Sequence, residues 1–539
     1  MTIAAQTYCT GGAAVTRELI RLGFRTLYAL PGIQNDELFN ALYDRRDEIR
    51  VVHTRHEQGA AYMALGAALA TGRPAACSVV PGPGFLNASA ALATAFGLNA
   101  PLLFLTGQIP LAEIGRERGA LHEIPDQLGM LRALTKFAVR IEHSALVPHA
   151  LNTAYAALSS GRPRPVGVEV PMDVLAQVTP LPPSPNVPRP SDPPVDEAVL
   201  TRIADTLSKA THPLIFVGSG AQDVSADVRA LAEYLQAPVV SYRTGRGIVD
   251  SRSPLSVVLP AARELWTRSD VVLALGSTVR LPLQNWAASA QRKLLRIDVD
   301  PSSHGRICKP HLALTARLED ALPLLRQQIE STRAPANSRR EELLSLRADW
   351  ESRTATLEPQ ISYLKVIRDC LDETGIFVDE LTQVGFASRL VYPVYHPRTF
   401  LSAGHMGTLG WGFPTALGAK CALPDRPVVS VTGDGGFLFA ASELATAVQH
   451  RIGLVTIVFN NGRYGNVHQM QRDLYGGRFI ASDLVNPDFV RLAESFGAKG
   501  LRAQTPDALS SMLERALADD LPTVIEVPVG DMPSVDQFR

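Results

Sequence analysis

The sequence predicts an α/β protein built as three doubly wound, parallel-sheet domains. Three observations carry that expectation. Short apolar runs alternate with helical stretches along the whole chain, the pattern of strands covered on both faces by crossover helices. At 539 residues the chain is too long for one core, and roughly 100–200 residues per domain gives about three. Two seams then divide it. Residues 179–197, TPLPPSPNVPRPSDPPVDE, hold eight prolines in nineteen residues and read as a semi-rigid linker unable to join a sheet. Residues 327–353 are polar and charged, with a surface helix at their end. The expected domains are 1–178, 195–330 and 355–539.

Within the first, RTLYALPG is a strand running into a turn, DELFNALYD a helix, IRVVHTRHE a strand, and QGAAYMALGAALATG a helix stopped by Gly72. PAACSVVPGPG is a strand into a glycine loop, LNASAALATAFGLN a helix, and APLLFLTGQ the next strand. The middle piece supplies HPLIFVGSG, APVVSYRTG, SDVVLALGS and KLLRIDVD as strands. The third runs GIFVDE, the glycine-rich LSAGHMGTLGWGFP, a helix, then RPVVSVTGDGG, the helix FLFAASELATAVQH and the strand IGLVTIVFNN. The first and third pieces look alike, as two related units flanking a third.

Composition excludes several classes. A net charge of −1 gives no electrostatic case for nucleic acid or an anionic membrane. The N-terminus lacks a basic region followed by an apolar one, and Gly97, Asn99 and Pro101 break the most apolar stretch, 88–107, so neither a secretory signal nor a membrane span is expected. Five scattered cysteines without a CxxC pattern fit a reduced, cytoplasmic chain rather than a disulfide or zinc framework.

The chemistry gathers at GDGG and NN. Two parallel strands joined by a helix bring their carboxyl ends to one edge, so Asp434 and Asn461, 27 residues apart, meet there. A carboxylate and an amide oxygen are hard ligands suited to Mg²⁺, and the glycines let backbone N–H groups approach an anion. Together they predict a diphosphate held through Mg²⁺.

GDGG followed by NN at this spacing resembles the thiamine-diphosphate motif. RHEQGAAYMALGAALATGRP, PGPGFLN, PLLFLTGQIP, GRPRPVGVEVPMDV, RIDVDP, MGTLGWGFPTALGAK and NPDFVRLAESFGA extend the resemblance over nearly the whole chain, to the acetohydroxyacid synthase, pyruvate oxidase and benzaldehyde lyase group. It implies the thiamine-diphosphate-binding fold: an N-terminal pyrimidine-binding domain, a central Rossmann-like domain and a C-terminal diphosphate-binding domain. It implies Asp434, Asn461 and the backbone carbonyl of Arg463 as Mg²⁺ ligands, and Gly435 and Gly436 against the diphosphate. Thr382 and Gln383 align more loosely with a phosphate-contacting loop. Glu57 matches the glutamate that activates the aminopyrimidine, so that C2 of the thiazolium becomes a nucleophile. Leu409 matches the aliphatic prop that bends the cofactor, and the Gly407 carbonyl would accept from its 4′-amino group. In such enzymes Glu57 and the Mg²⁺ ligands come from different subunits, so a homodimer or homotetramer is expected.

The reaction is less determined. The resemblance implies C–C bond cleavage or formation beside the carbonyl of a 2-oxo acid or 1,2-dicarbonyl, with an acetolactate-synthase-like carboligase (transferase) leading. A non-ligating decarboxylase or a benzaldehyde-lyase-like lyase stays open. Gln34 aligns with a pocket position often small or histidine in relatives. His122 stands where glutamine is common and offers a proton or a hydrogen bond to substrate. GSTVRLPLQNW lacks the acidic pair of flavin-binding relatives, so FAD is not expected. VGSGAQD offers only a lone GxG, which leaves a dinucleotide dehydrogenase without its third glycine.

Overall fold

The computed structural model describes residues 8–180, 184–185, 187–188 and 191–538. It contains three six-stranded sheets in which every neighbouring pair is parallel. Edge to edge, the N-terminal sheet runs Arg50–His53, Thr26–Ala29, Ala75–Val79, Leu102–Gln108, Val166–Pro171 and Phe137–Arg140. The C-terminal sheet runs Phe400–Leu401, Ile376–Val378, Val428–Gly433, Val455–Asn460, Thr523–Pro528 and Lys499–Arg502. Numbered by appearance within each sheet, both have the order 2-1-3-4-6-5. The central sheet, from Ser256–Val258 through Val239–Ser241, Pro213–Val217, Val271–Leu275 and Lys293–Asp298 to Leu312–Thr315, has the order 3-2-1-4-5-6 of a Rossmann-like unit.

The outer two sheets share more than an order. Their helices Glu57–Thr71 and Gly412–Ala422 cross with backbones nearly touching: a Cβ on Gly66 would sit 1.9 Å from the Thr415 carbonyl oxygen, and one on Gly418 1.8 Å from that of Met63. Glycine is required at both points. One buried cluster therefore runs from the N-terminal domain into the C-terminal one, through Tyr62, Leu65, Trp411 and Phe413.

Three expectations need correction. Thr179 and Pro180, at the head of the proline-rich seam, join a two-stranded antiparallel ribbon with Tyr8–Thr10, since an edge strand tolerates proline where a central one does not. The polyproline reading of 181–183, 186 and 189–190 lies outside the described residues. The charged seam 327–353 is mostly helical, and its helix Arg340–Thr354 buries Leu343 and Trp350 in the cluster shared by the central and C-terminal domains, so it is packed rather than superficial. The single helix expected after GDGG is broken into Asp434–Leu438, a 3₁₀ turn Ala441–Glu443 and Leu444–Gln449. The break turns Glu443 toward the N-terminal domain, with consequences for the site.

Candidate active site

In the C-terminal sheet the strand order reverses between Ile376–Val378 and Val428–Gly433, and the crevice beyond their carboxyl ends is where an open α/β sheet binds ligands. A cavity of about 350 Å³ lies there. Thr382, Gln383, Gly407, Leu409, Asp434, Gly435, Gly436, Asn461 and Arg463 all line it, so the fold gathers nine of the sequence-derived cofactor residues in one place.

Asp434 opens its helix directly from the strand and is buried. Its Oδ2 accepts from the Gly462 N–H at 2.9 Å and from Asn486 Nδ2 at 2.7 Å. Burial pushes its carboxyl above the ordinary range, opposed by these donors. Asn486 also donates to Asn460 Oδ1 at 2.9 Å, whereas its own Oδ1 is buried without a partner. An orphaned amide oxygen beside a buried carboxylate and an amide at Asn461 is a donor set suited to a hard cation. Residues 482–486 strap this turn in place, with the Leu484 N–H on Gly462 O at 2.7 Å and the Tyr464 N–H on Ser482 O at 2.8 Å.

Gly435 and Gly436 have close neighbours: a Cβ would meet the Tyr464 ring at 2.6 Å in the first case and Glu380 Oε1 at 2.9 Å in the second. Gly407 and Gly410 hold positive φ values, 57° and 76°, which frees the backbone around Leu409 to face the cavity. Thr408, between them, is bonded by Tyr62 Oη at 3.0 Å and Thr94 at 3.2 Å, tying the Leu409 loop to helices of the N-terminal domain.

The remaining predicted residues form a second cluster, at the corresponding reversal of the N-terminal sheet. Gln34 is buried, donates Nε2 to the Leu121 carbonyl at 3.0 Å and presents Oε1 to His122 Nδ1 at 2.9 Å. With Oε1 as the acceptor, His122 carries its proton on Nδ1 and leaves Nε2 for other partners. His122 holds φ 71°, and its carbonyl oxygen presses on Gly82, where a Cβ would come within 2.3 Å. Glu57 starts its helix, and Oε2 accepts from Asn87 Nδ2 at 3.0 Å. A Cβ on Gly84 would lie 3.3 Å from Glu57 Oε1. Glu57, Gln34 and His122 do not line the C-terminal cavity. The sequence-derived residues therefore fall into two separate clusters of the chain.

Sequence reasoning missed three residues. Glu443 is buried and reaches across domains, its Oε1 accepting from the His56 N–H at 2.9 Å and its Oε2 from the Arg55 N–H at 3.1 Å. It therefore braces the backbone immediately before Glu57, and Gly59 is glycine because a Cβ there would sit 2.3 Å from Glu443 Oε1. Burial raises its carboxyl above the usual range. Asn486 gave a signal in the NPDF segment but no geometry. Glu380, at the end of IFVDE, looked like the close of a strand.

Comparison with known proteins identifies all three domains. Residues 9–130 match the N-terminal TPP binding domain of thiamine pyrophosphate enzymes, 200–325 the central domain and 381–527 the C-terminal TPP binding domain. A probable 2-ketoarginine decarboxylase of Pseudomonas aeruginosa is 32% identical over 540 residues, covering 96% of this chain and 94% of its own. A probable acetolactate synthase large subunit of Methanocaldococcus jannaschii is 30% identical over 551 residues, covering 96% and 92%. The acetolactate synthase isozyme 1 large subunit of Escherichia coli is 28% identical over 512 residues, covering 90% and 88%. The three matched domains and these relatives define a thiamine-diphosphate-dependent enzyme. The chain belongs to the thiamine pyrophosphate enzyme family.

Proposed function

We propose that this enzyme uses thiamine diphosphate and Mg²⁺ to break the bond beside the carbonyl of a 2-oxo acid and to transfer the acyl unit to a second carbonyl, as an acetolactate-synthase-like carboligase. The observation that carries the reading is the gathering of nine cofactor-matching residues around one cavity, with Glu57 held elsewhere in the chain. When bound, the cofactor supplies a carbon nucleophile that stores the acyl fragment. Asp434, Asn461 and the Arg463 carbonyl would hold the cation. The orphaned Asn486 Oδ1 lies nearby, and diphosphate and water oxygens would complete the cation's shell. Gly435 and Gly436 would pass the diphosphate, Leu409 would support the bend, and Glu57 would hold a proton at the pyrimidine.

Because one chain separates Glu57 from the cavity, the working unit is a homodimer or a dimer of dimers, with each active site built by two chains. Exposed Ile33, Leu86 and Leu121 rim one half-site, and exposed Phe439, Leu474 and Ile480 occur on the segments around the other, the kind of apolar surface a partner covers. FAD forms no part of this reading, and a flavin spectrum in the purified protein would overturn that part. Among the described residues no helix is long and apolar enough to cross a membrane. A cytoplasmic location belongs to the same proposal.

His122 favours a second reading. Pinned through Nδ1–H, it leaves Nε2 to take up a proton and, as an imidazolium, pass it on, which is what simple decarboxylation to an aldehyde needs. The deciding experiment supplies thiamine diphosphate and Mg²⁺ with pyruvate, 2-oxobutyrate, benzoylformate or branched-chain oxo acids, then measures CO₂ and identifies the organic product. An acetohydroxyacid or acyloin supports ligation, and an aldehyde supports decarboxylation. No CO₂ from any of them overturns both and turns attention to acyloin or diketone cleavage.

A further inference from the structure

The strand Ile376–Val378 ends in two fully buried carboxyl groups, neither of which lines the cofactor cavity. Asp379 is paired with Arg389, Nε to Oδ2 at 2.6 Å, and its carbonyl takes the Trp411 indole N–H at 2.9 Å. Glu380 is different. Among the described residues no Lys, Arg or His forms an ion pair with it. A buried, unpaired carboxyl is costly unless neutral donors satisfy it.

Its donors come from two segments, the stretch 410–412 and the end of the strand Val428–Gly433. Oε1 accepts from the Gly410 N–H, one residue beyond Leu409, and the Gly412 N–H also faces the carboxyl. Oε2 accepts from the Thr432 hydroxyl, two residues before Asp434. The backbone joins a third segment, because the Glu380 carbonyl accepts from the Thr382 N–H at 2.9 Å. Glycines surround it: a Cβ on Gly436 would lie 2.9 Å from Oε1, one on Gly412 3.0 Å from Oε2, and one on Gly385 2.1 Å from the Glu380 carbonyl oxygen. One side chain thus joins the prop loop to the diphosphate turn beneath the cavity floor.

We propose that Glu380 is a positioning residue that fixes Leu409 relative to the 433–436 turn, so that the cavity is already shaped for a bent cofactor before one arrives. The proposal rests on the thiamine-diphosphate reading above. An apolar residue would fill the same volume but leave Gly410, Gly412 and Thr432 without an acceptor, and the prop loop would be free to settle elsewhere. Burial raises the Glu380 carboxyl to about 7, which fits a group held by neutral donors.

The test compares wild type with Glu380→Gln, which keeps the shape but replaces one acceptor oxygen with a donor, and with Thr432→Val, which removes one arm alone. Amide exchange of the cofactor-free protein, followed by mass spectrometry, should lose roughly tenfold protection across 405–412 in Glu380→Gln, and less in Thr432→Val. With thiamine diphosphate and Mg²⁺ added, exchange of the C2 proton of the bound cofactor, read by quenched NMR, should slow roughly 100-fold, with a smaller loss of cofactor affinity. Unchanged loop protection and unchanged C2 exchange in a folded Glu380→Gln overturn the proposal. If that variant does not fold, unchanged values in Thr432→Val overturn it. If wild type binds no thiamine diphosphate, the functional reading fails, while the cofactor-free exchange still decides whether Glu380 holds the loop.

Discussion

The N- and C-terminal sheets share one strand order, yet the turn after the third strand reads Pro81-Gly82-Pro83-Gly84 in the first and Gly433-Asp434-Gly435-Gly436 in the last. Gly82 and Gly433 are both the N-cap residues of the following helices, so Pro83 stands where Asp434 stands. Proline offers neither a carboxylate nor an N–H, so at this position the N-terminal copy of the turn lacks both groups that Asp434 supplies. Its helix runs unbroken for 16 residues, Pro83–Leu98, whereas the C-terminal one stops after five. On the proposed reading the same crevice takes two jobs. One copy presents Glu57, Gln34 and His122, and the other a diphosphate turn. The difference shows that this fold sets where chemistry occurs and leaves the turn sequence to decide which chemistry.

The comparison breaks most visibly at Asp434. Asp434→Ala should lower Mg²⁺-dependent cofactor affinity by more than about 100-fold, measured by calorimetry, because it removes a ligand rather than a support. Glu57→Gln should leave cofactor affinity nearly intact and cut turnover by roughly 10²–10⁴-fold. Mixing these two dead variants under conditions that exchange subunits separates the half-sites further. If each active site takes Glu57 from one chain and Asp434 from another, about a quarter of wild-type activity returns. If both came from one chain, none would.

The smaller effects concern the braces. Gly59→Ala should destabilise the protein by about 1–3 kcal/mol in chemical unfolding, since the new Cβ collides with Glu443 Oε1. For Glu380 the effect depends on pH. Its carboxyl titrates near 7 when folded and in the ordinary carboxylate range when unfolded, so between those values the native state keeps a proton that the unfolded chain has released. Stability from this group is therefore lost as pH rises through that window, by at most about 3 kcal/mol. Glu380→Gln should lose that slope, so its melting temperature should gain on wild type between about pH 5 and about pH 8.

The alternation of strands and helices, the likeness of the outer domains and the GDGG–NN pairing were legible because each rests on contiguous residues with a fixed period or spacing. Asp434, Asn461 and the glycines beside Asp434 followed from that, since strand ends fall at one edge once the sheet is parallel, whereas Thr382, Gln383, Gly407, Leu409 and Arg463 came from the resemblance to thiamine-diphosphate enzymes. What stayed hidden depends on contacts distant in sequence. Glu443 reads as part of an amphipathic helix until its carboxylate is seen at the His56 and Arg55 amides, more than 380 positions away. Glu380 reads as the polar close of a strand until Gly410 and Thr432 are placed over it. The charged seam at 327–353 misled for a related reason: Leu343 and Trp350 are too few to signal burial, yet both find the interdomain cluster.

The crossing of Glu57–Thr71 over Gly412–Ala422 has a further consequence for how the site is fastened. Carbonyl against glycine Cα, at two points, leaves no side chain at the crossing itself, so the two helix backbones have no room to slide past one another there. The turn that carries Asp434 is held from outside this joint, by the strap 482–486. Two backbone hydrogen bonds and the amide of Asn486 hold that strap down. The turn that carries Asp434 is thus fastened by a short piece of loop rather than by the domain joint.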